Sequence, residues 1–186
     1  TSDYGIDLYR RPRIAELLAA LGQIRGVEWI RLLYCHPRGI SDELIQTIRD
    51  EPAVCKYLDM AIEHADDAVL ARMNRGLTQA AMRERIAALR TAIPGIALRT
   101  SVIVGFPGET EAAFDTLLAF LKAVRFERLG AFRYSNEEGS AAFRLPDQVP
   151  EPLKRQRLDR LMCVQQAIAA EVNARMVGRT CDVLID

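Results

Sequence analysis

The sequence lacks a long apolar run, an excess of charge of either sign and any abundance of aromatic residues, which make up 6% of it. Its 25 Lys and Arg residues balance its 25 Asp and Glu residues. No overall field therefore favours nucleic acid or an acidic membrane surface as a partner. No apolar segment reaches the about 18 residues that a membrane-spanning helix needs. The first residues also lack the pattern of a signal peptide. These absences predict a soluble protein of the cytoplasm.

Cysteine is sparse as well, with Cys35, Cys55, Cys163 and Cys181 far apart along the chain. The four have neither the close pairs of a zinc or iron–sulfur site nor the density of a secreted disulfide scaffold. We predict reduced, mostly buried thiols and no metal site within this chain. The opening Thr1–Gly5, which has no Met, is turn-like and suggests a segment of a longer protein.

The chain has enough apolar residues, 49% of 186, to bury a core as one domain. Strand-like segments alternate with helix-like ones four times, which predicts α/β architecture with a parallel sheet and right-handed crossovers. Strands are predicted at Val27–Tyr34, Tyr57–Ile62, Ile96–Val104 and Arg128–Tyr134. Helices are predicted after Pro12, ending at Gly26, after Ser41, from about Ala68, after Thr78 and Thr110, and from Glu151 to about Met176.

The third predicted strand and the turn after it are the most informative stretch. β-Branched residues crowd Thr100 to Val104, and apolar and polar residues do not alternate cleanly, which is typical of a strand covered on both faces. The glycines of Gly105–Gly108 permit a tight turn close to a ligand, and Thr110 can cap the next helix. Such a corner suits an anion or a nucleotide. A plain strand-to-helix turn without a ligand is the alternative.

Candidate site residues follow from the rule that ligands of parallel α/β folds bind beyond the carboxyl ends of the strands. His64 at such an end can act as an acid, a base or a ligand, or can be a structural histidine bonded to nearby backbone. Arg99, within an apolar strand, requires a carboxylate or a ligand as partner, because an unpaired buried cation is costly. Glu109 can bind a ligand or simply favour the dipole of the helix that follows.

These residues resemble a family, the radical S-adenosylmethionine (SAM) methylthiotransferases. The similarity is specific in several segments: Leu98–Thr100 with Ile103–Thr110, Tyr57–Asp59 with His64, Met73–Gly76, and Tyr4–Leu8. It runs from about Asp3 to Asp186. The resemblance implies strands three to six of a partial TIM-like barrel within residues 1–176, ending in a long helix. It also implies the start of a β-rich TRAM domain at residues 177–186.

Within the family, Val124–Gly130 and Phe132–Gly139 resemble the branch that modifies an aspartate of a small-subunit ribosomal protein. The tRNA-modifying branch of the MiaB type usually has a basic residue where this chain has Glu137 and Glu138. That branch remains an alternative, and so does a non-catalytic α/β module that binds a nucleotide or phosphate. The resemblance implies a ribosomal protein as substrate, the ribosome as a possible partner, a protein reductant and no membrane.

The resemblance also implies SAM as cofactor and [4Fe–4S] clusters in the full-length protein. None of the four cysteines has the CxxxCxxC spacing of the family's cluster loop, so this segment alone is expected to be inactive. The residues that the resemblance assigns to cofactor binding are His64, Arg99, Ser101, Gly105 and Glu109. Those assigned to the substrate side are Tyr134, Ser135 and Glu138.

Overall fold

A parallel sheet organises the computed structural model, which describes residues 3–183. Its strands are β1 (Ile30–Cys35), β2 (Val54–Met60), β3 (Ala97–Val104) and β4 (Arg128–Arg133), hydrogen-bonded in sequence order. All three pairings are parallel, with Asp59 beside Arg99 and Ser101 beside Gly130. This arrangement confirms the α/β class and places the carboxyl ends of the strands along one edge of the sheet.

Helices connect and cover the strands. They are α1 (Ile6–Tyr9), α2 (Ile14–Gly22), α3 (Asp42–Asp50), α4 (Asp67–Arg72), α5 (Gln79–Ala92), α6 (Glu111–Val124) and α7 (Glu151–Ala174), with short 3-10 turns at Pro37–Gly39 and Ala141–Arg144. The predicted caps are confirmed, because Ser41, Thr78 and Thr110 each accept a hydrogen bond from the backbone N–H three residues later. Local hydrogen bonding therefore fixes the starts of α3, α5 and α6.

The core lies between one face of the sheet and the helices. Along β3, Leu98, Thr100, Val102 and Val104 are buried, whereas the residues between them are only partly buried. The buried face belongs to the same apolar core as α6, whose Phe114 is fully enclosed. The expectation that β3 is covered on both faces is therefore wrong for the part of the chain described here. Burial alternates with the period of two that belongs to a strand with one covered face.

Several element boundaries differ from prediction. Strand β1 begins at Ile30, three residues later than predicted, because Ile30 is the first residue in register with β2, opposite Val54. Strand β2 begins three residues earlier than predicted, at Val54, and α2 ends at Gly22 rather than at Gly26. Helix α1 and the turn at Ala141–Arg144 were not predicted.

The predicted strand of a TRAM domain falls at the end of the described region. Residues 180–183 have no regular structure, and residues 184–186 lie outside the described residues. That domain stays a prediction. Among residues 3–183, no helix combines the length and the apolar character needed to cross a bilayer.

Candidate functional site

Unusual backbone conformations mark the carboxyl ends of the first three strands. Tyr34, Glu63 and Gly105 have φ angles of 57°, 67° and 76°, in the left-handed region that non-glycine residues rarely adopt. The segment after β2 stays alongside β3, because the N–H of Glu63 donates to the carbonyl of Ser101 (3.0 Å) and the carbonyl of Glu63 accepts from the N–H of Ile103 (2.8 Å). The loops after β2 and β3 therefore share one edge.

The turn after β3 is held by its own glutamate. Glu109 Oε2 accepts a hydrogen bond of 2.8 Å from the backbone N–H of Gly105. The positive φ of Gly105 suits glycine. An added Cβ at Gly105 would overlap Cγ of Lys154 on α7. The protein itself therefore limits the space at this turn. Close approach of a ligand, which the sequence predicted, is thus only one possible reason for glycine at this position.

Glu109 belongs to a buried ion pair. Nη1 of Arg157 donates to Glu109 Oε1 at 2.7 Å and to the Glu109 carbonyl at 3.0 Å. Both side chains are almost fully enclosed. The sequence predicted that Glu109 binds a ligand or interacts favourably with the helix dipole. It did not predict the ion pair with Arg157. Direct contact of Glu109 with a cofactor stays a prediction.

His64 is fully buried beside this pair, with Nε2 3.4 Å from Glu109 Oε2. Its Nδ1 accepts a hydrogen bond of 2.9 Å from the N–H of Asp66, so the hydrogen-bond network assigns the proton of a neutral ring to Nε2. Despite this short distance, Nε2 forms no hydrogen bond with Glu109 or with any other group within residues 3–183. The bond to nearby backbone is the one expected of a structural histidine, and a cofactor role stays a prediction.

Arg99 and Ser101 lie apart from this cluster, on the partly exposed face of β3. Nη1 of Arg99 is 2.8 Å from Oδ2 of Asp59, whose side chain is only 3% exposed. Of the two partners predicted for Arg99, a carboxylate or a ligand, the structure shows a carboxylate. The Arg99 side chain remains 36% exposed, which leaves guanidinium N–H groups accessible from this face.

The predicted substrate residues differ in exposure. The ring of Tyr134 is largely buried and packs edge-on against Phe106, with 5.1 Å between the ring centroids. Ser135 is exposed and donates a hydrogen bond to the carboxylate of Glu137. Glu138 is exposed and lines a cleft of about 550 Å³ formed by residues 138–141, 143 and 144. Ser135 and Glu138 can thus meet a partner directly, whereas Tyr134 holds the loop in place.

Glu63, which precedes His64 after β2, is a further feature of this edge. Burial raises the pKa of its carboxyl group, and the charge of Arg75 acts in the opposite direction. A strained backbone and a perturbed carboxyl group at a strand end are typical of functional sites. Asp59 was not identified from the sequence as the partner of Arg99, although the charge of Arg99 within an apolar strand was a signal that a carboxylate could face it. Nothing in the sequence placed Arg75 beside Glu63.

The described residues do not fit an iron–sulfur cluster. All four cysteines are free, but only Cys35 is fully buried, so the expectation of mostly buried thiols is wrong. No group of three or more His, Cys, Asp or Glu side chains within residues 3–183 could hold a metal ion. That this chain itself holds no metal site stays a prediction.

Similarity to named proteins covers the whole chain. Ribosomal protein uS12 methylthiotransferase RimO of Desulforudis audaxviator is 47% identical over 186 residues, which are 100% of this chain and 41% of that protein. RimO of Geobacter sulfurreducens is 51% identical over 183 residues, 98% of this chain and 41% of that protein. The chain thus spans about two fifths of the length of these relatives.

Solved structures and a family profile agree on the fold. Coproporphyrinogen III oxidase (HemN) from Escherichia coli has a similar fold, with a TM-score of 0.65 and 21% identity over 84% of this chain and 36% of that one. TsrM, a radical SAM methyltransferase from Kitasatospora setae, has a TM-score of 0.55 and 18% identity over 71% of this chain and 26% of that one. The profile of the Radical SAM superfamily matches residues 4–121. The chain therefore belongs to the Radical SAM superfamily.

Proposed function

We propose that this chain forms the cofactor-facing and substrate-facing wall of a radical SAM methylthiotransferase that adds a methylthio group to an aspartate of ribosomal protein uS12. The main support is the 47–51% identity, along essentially the whole chain, to relatives named for that activity on uS12. Because the chain spans about two fifths of those relatives, the proposal concerns the full-length protein.

SAM would bind against the partly exposed face and the turn after β3. Arg99 offers guanidinium donors beside its Asp59 partner, and Ser101 lies two residues further on the same face. The Gly105 turn follows at the end of the strand, where a ligand can approach backbone closely. When bound, SAM and a [4Fe–4S] cluster supply the radical chemistry that activates a C–H bond. We place the cluster ligands in the part of the relatives that this chain does not span.

For His64 and Glu109 we propose an indirect role in cofactor binding. Both are enclosed, and Glu109 holds the Gly105 N–H from inside the turn. They would set the shape of the surface that SAM meets, with His64 supporting the segment after β2.

The loop after β4 would face the substrate. Ser135 and Glu138 are exposed there, supported by the packed ring of Tyr134. A basic ribosomal protein suits this acidic loop better than the phosphates of tRNA do. This reaction would place the protein in the cytoplasm, where it would require a protein reductant and access to uS12, free or on the ribosome.

The test uses full-length protein reconstituted with iron and sulfide without oxygen, then supplied with SAM, a reductant and purified uS12. We expect mass spectrometry to find one methylthio group on an aspartate-containing peptide of uS12. Parallel reactions contain unmodified tRNA. Methylthiolation of tRNA instead of uS12 would favour the MiaB type, and SAM binding without methylthio transfer to either substrate would favour a binding module.

A further inference from the structure

Helix α7 brings two buried cations to the loops that follow the strands. The ammonium of Lys154 donates a hydrogen bond of 2.8 Å to the carbonyl of Tyr134, directly after β4. Arg157, one turn further along α7, binds both the carboxylate and the carbonyl of Glu109, after β3. Through Glu109, the contact extends to His64, after β2. One helix is thus joined to the ends of three neighbouring strands.

These two cations are almost fully buried. Lys154 is 7% exposed and Arg157 is 2% exposed. A buried cation has a large desolvation cost, which only close partners offset. Further along α7, Leu161 and Ile168 are buried and pack the helix by apolar contact. The charged residues are concentrated at the end of α7 that meets the candidate site, which indicates a role in that site.

The geometry shows what each cation fixes. Arg157 neutralises Glu109 and holds Oε1, which leaves Oε2 directed to the Gly105 N–H at 2.8 Å. The stem of Lys154 lies against Gly105, where an added Cβ would overlap it. The conformation of the turn after β3 therefore depends on two side chains that come from another element.

We propose that Arg157 and Lys154 are positioning residues that hold the Gly105 turn in the shape that binds SAM. The proposal rests on the proposed function where it names SAM as the ligand. Neither residue needs to contact the cofactor, because Arg157 acts through Glu109, and Lys154 acts through Tyr134 and the space beside Gly105.

The test compares full-length Arg157→Met, Arg157→Lys and Lys154→Met proteins with wild type. Arg160→Met is the matched control, since Arg160 is on the same helix but forms exposed ion pairs with Glu111 and Asp115. Backbone hydrogen exchange is measured first, without SAM. We expect exchange of the 105–109 segment to become about tenfold faster in Arg157→Met, the size of effect expected when a charged hydrogen bond is lost. Strand β1 should exchange as in wild type.

Calorimetry then measures SAM affinity in the same proteins. We expect Kd to rise about tenfold in Arg157→Met, with partial recovery in Arg157→Lys and no change in Arg160→Met. Loss of Arg157 leaves Glu109 buried without its cation, so Lys154→Met, which keeps most of its stem, provides a second variant. In Lys154→Met we expect faster exchange at residues 133–136 and weaker SAM binding.

Two exchange results would overturn the proposal. One is wild-type exchange at both residues 105–109 and residues 133–136 in the folded variants, and the other is faster exchange spread evenly over the whole chain. Unchanged SAM affinity in a folded Lys154→Met protein would also overturn it. If the wild-type protein itself bound no SAM, the proposed function would be wrong about the cofactor. The exchange data would still decide whether α7 positions the turn.

Discussion

Gly105 is a residue whose replacement the structure constrains directly. Its φ of 76° is strained for any residue with a side chain, and a Cβ would overlap Lys154. We predict that Gly105→Ala lowers the free energy of unfolding by about 1–3 kcal/mol and weakens SAM binding several-fold in the full-length protein. Chemical denaturation and calorimetry measure the two effects.

Gly95→Ala is a matched control for Gly105→Ala, because Gly95 has a similar φ of 84° with no atom within 4 Å of an added Cβ. In Gly95→Ala, the free energy of unfolding should fall only by the cost of the strained backbone, and SAM affinity should be unchanged. Equal losses of stability in the two variants would mean that the overlap with Lys154 costs nothing.

Glu63 should make stability depend on pH. Burial raises the pKa of its carboxyl group, so the folded state binds the proton more tightly than the unfolded state does. The resulting stabilisation is complete below the ordinary pKa of 4.5 and is lost as pH rises through the raised value. We therefore predict that Glu63→Gln increases the free energy of unfolding at pH 7 and that this gain disappears below pH 4.5.

Urea denaturation between pH 4 and pH 7 measures this gain, and the exposed Glu138, replaced by Gln, controls for the change in net charge. The backbone strain at residue 63 is the same in both proteins and cancels. A loss of stability at pH 7 would show instead that attraction to Arg75 outweighs the cost of burying the Glu63 carboxylate.

At the scale of elements, the cap of α6 links local sequence to the site. The hydroxyl of Thr110 accepts a hydrogen bond of 3.1 Å from the N–H of Ala113, immediately after the Gly105–Glu109 turn. We predict that Thr110→Ala lowers the free energy of unfolding by about 1 kcal/mol, measured by chemical denaturation. Thr110→Ser keeps the hydroxyl and should be nearly neutral. A similar loss in both variants would assign the effect to the methyl group rather than to the cap.

The caps were predictable because their signals are local. A Ser or Thr and the N–H that it accepts from are three residues apart, and Ser41, Thr78 and Thr110 all cap as the sequence indicated. The start of β1 was not predictable in this way. Val27 to Trp29 have strand-like composition, but the pairing with β2 begins only at Ile30. Boundaries of strands depend on the neighbouring strand, which a single segment does not encode.

The candidate site was predictable in position but not in its contacts. Parallel α/β topology predicted that the loops holding His64 and Glu109 would share an edge, and they do. The Arg157–Glu109 pair joins residues 48 positions apart. The sequence of α7 does not show that Lys154 and Arg157 are buried while Arg155 is exposed. The sequence also predicted a partner for Arg99 without identifying Asp59. Which long-range charges meet is decided by the packing of α7 and the register of the strands.

At the scale of the whole molecule, the partly exposed face of the sheet should promote association. Phe132 lies beside Ile103 on this face and is 58% exposed. Exposed apolar side chains beside the open edges of a sheet favour contact between chains. We predict that the polypeptide of residues 1–186 self-associates, as measured by light scattering, and takes up no iron–sulfur cluster on reconstitution. Phe132→Thr should reduce association.

Phe143→Thr is the control for Phe132→Thr, because Phe143 is 40% exposed but lies in the turn at Ala141–Arg144, away from the sheet. It should associate as the unchanged chain does. Equal reductions in the two variants would indicate general surface hydrophobicity. A stable cluster absorption band near about 400 nm would contradict the absence of ligands in this segment.

The charge of the whole molecule gives no preference between partners, since its 25 basic and 25 acidic residues cancel. Preference must then come from local charge. Glu137 and Glu138 are both exposed in the loop after β4, beside the proposed substrate side. Two carboxylates there attract a basic protein and repel the phosphates of RNA, most strongly at low salt.

We therefore predict that the full-length Glu137→Lys/Glu138→Lys protein modifies uS12 more slowly at low ionic strength, while SAM cleavage without substrate is unchanged. The control is Glu28→Lys/Asp159→Lys, which changes net charge equally at two exposed residues outside this loop. Initial rates of uS12 modification, compared across a salt series, measure the effect, and the difference from wild type should shrink as salt rises because screening weakens attraction between exposed charges. Equal slowing by the control pair would trace the effect to net charge rather than to the loop. Equal rates for wild type and the loop variant would remove the electrostatic argument for a basic protein partner.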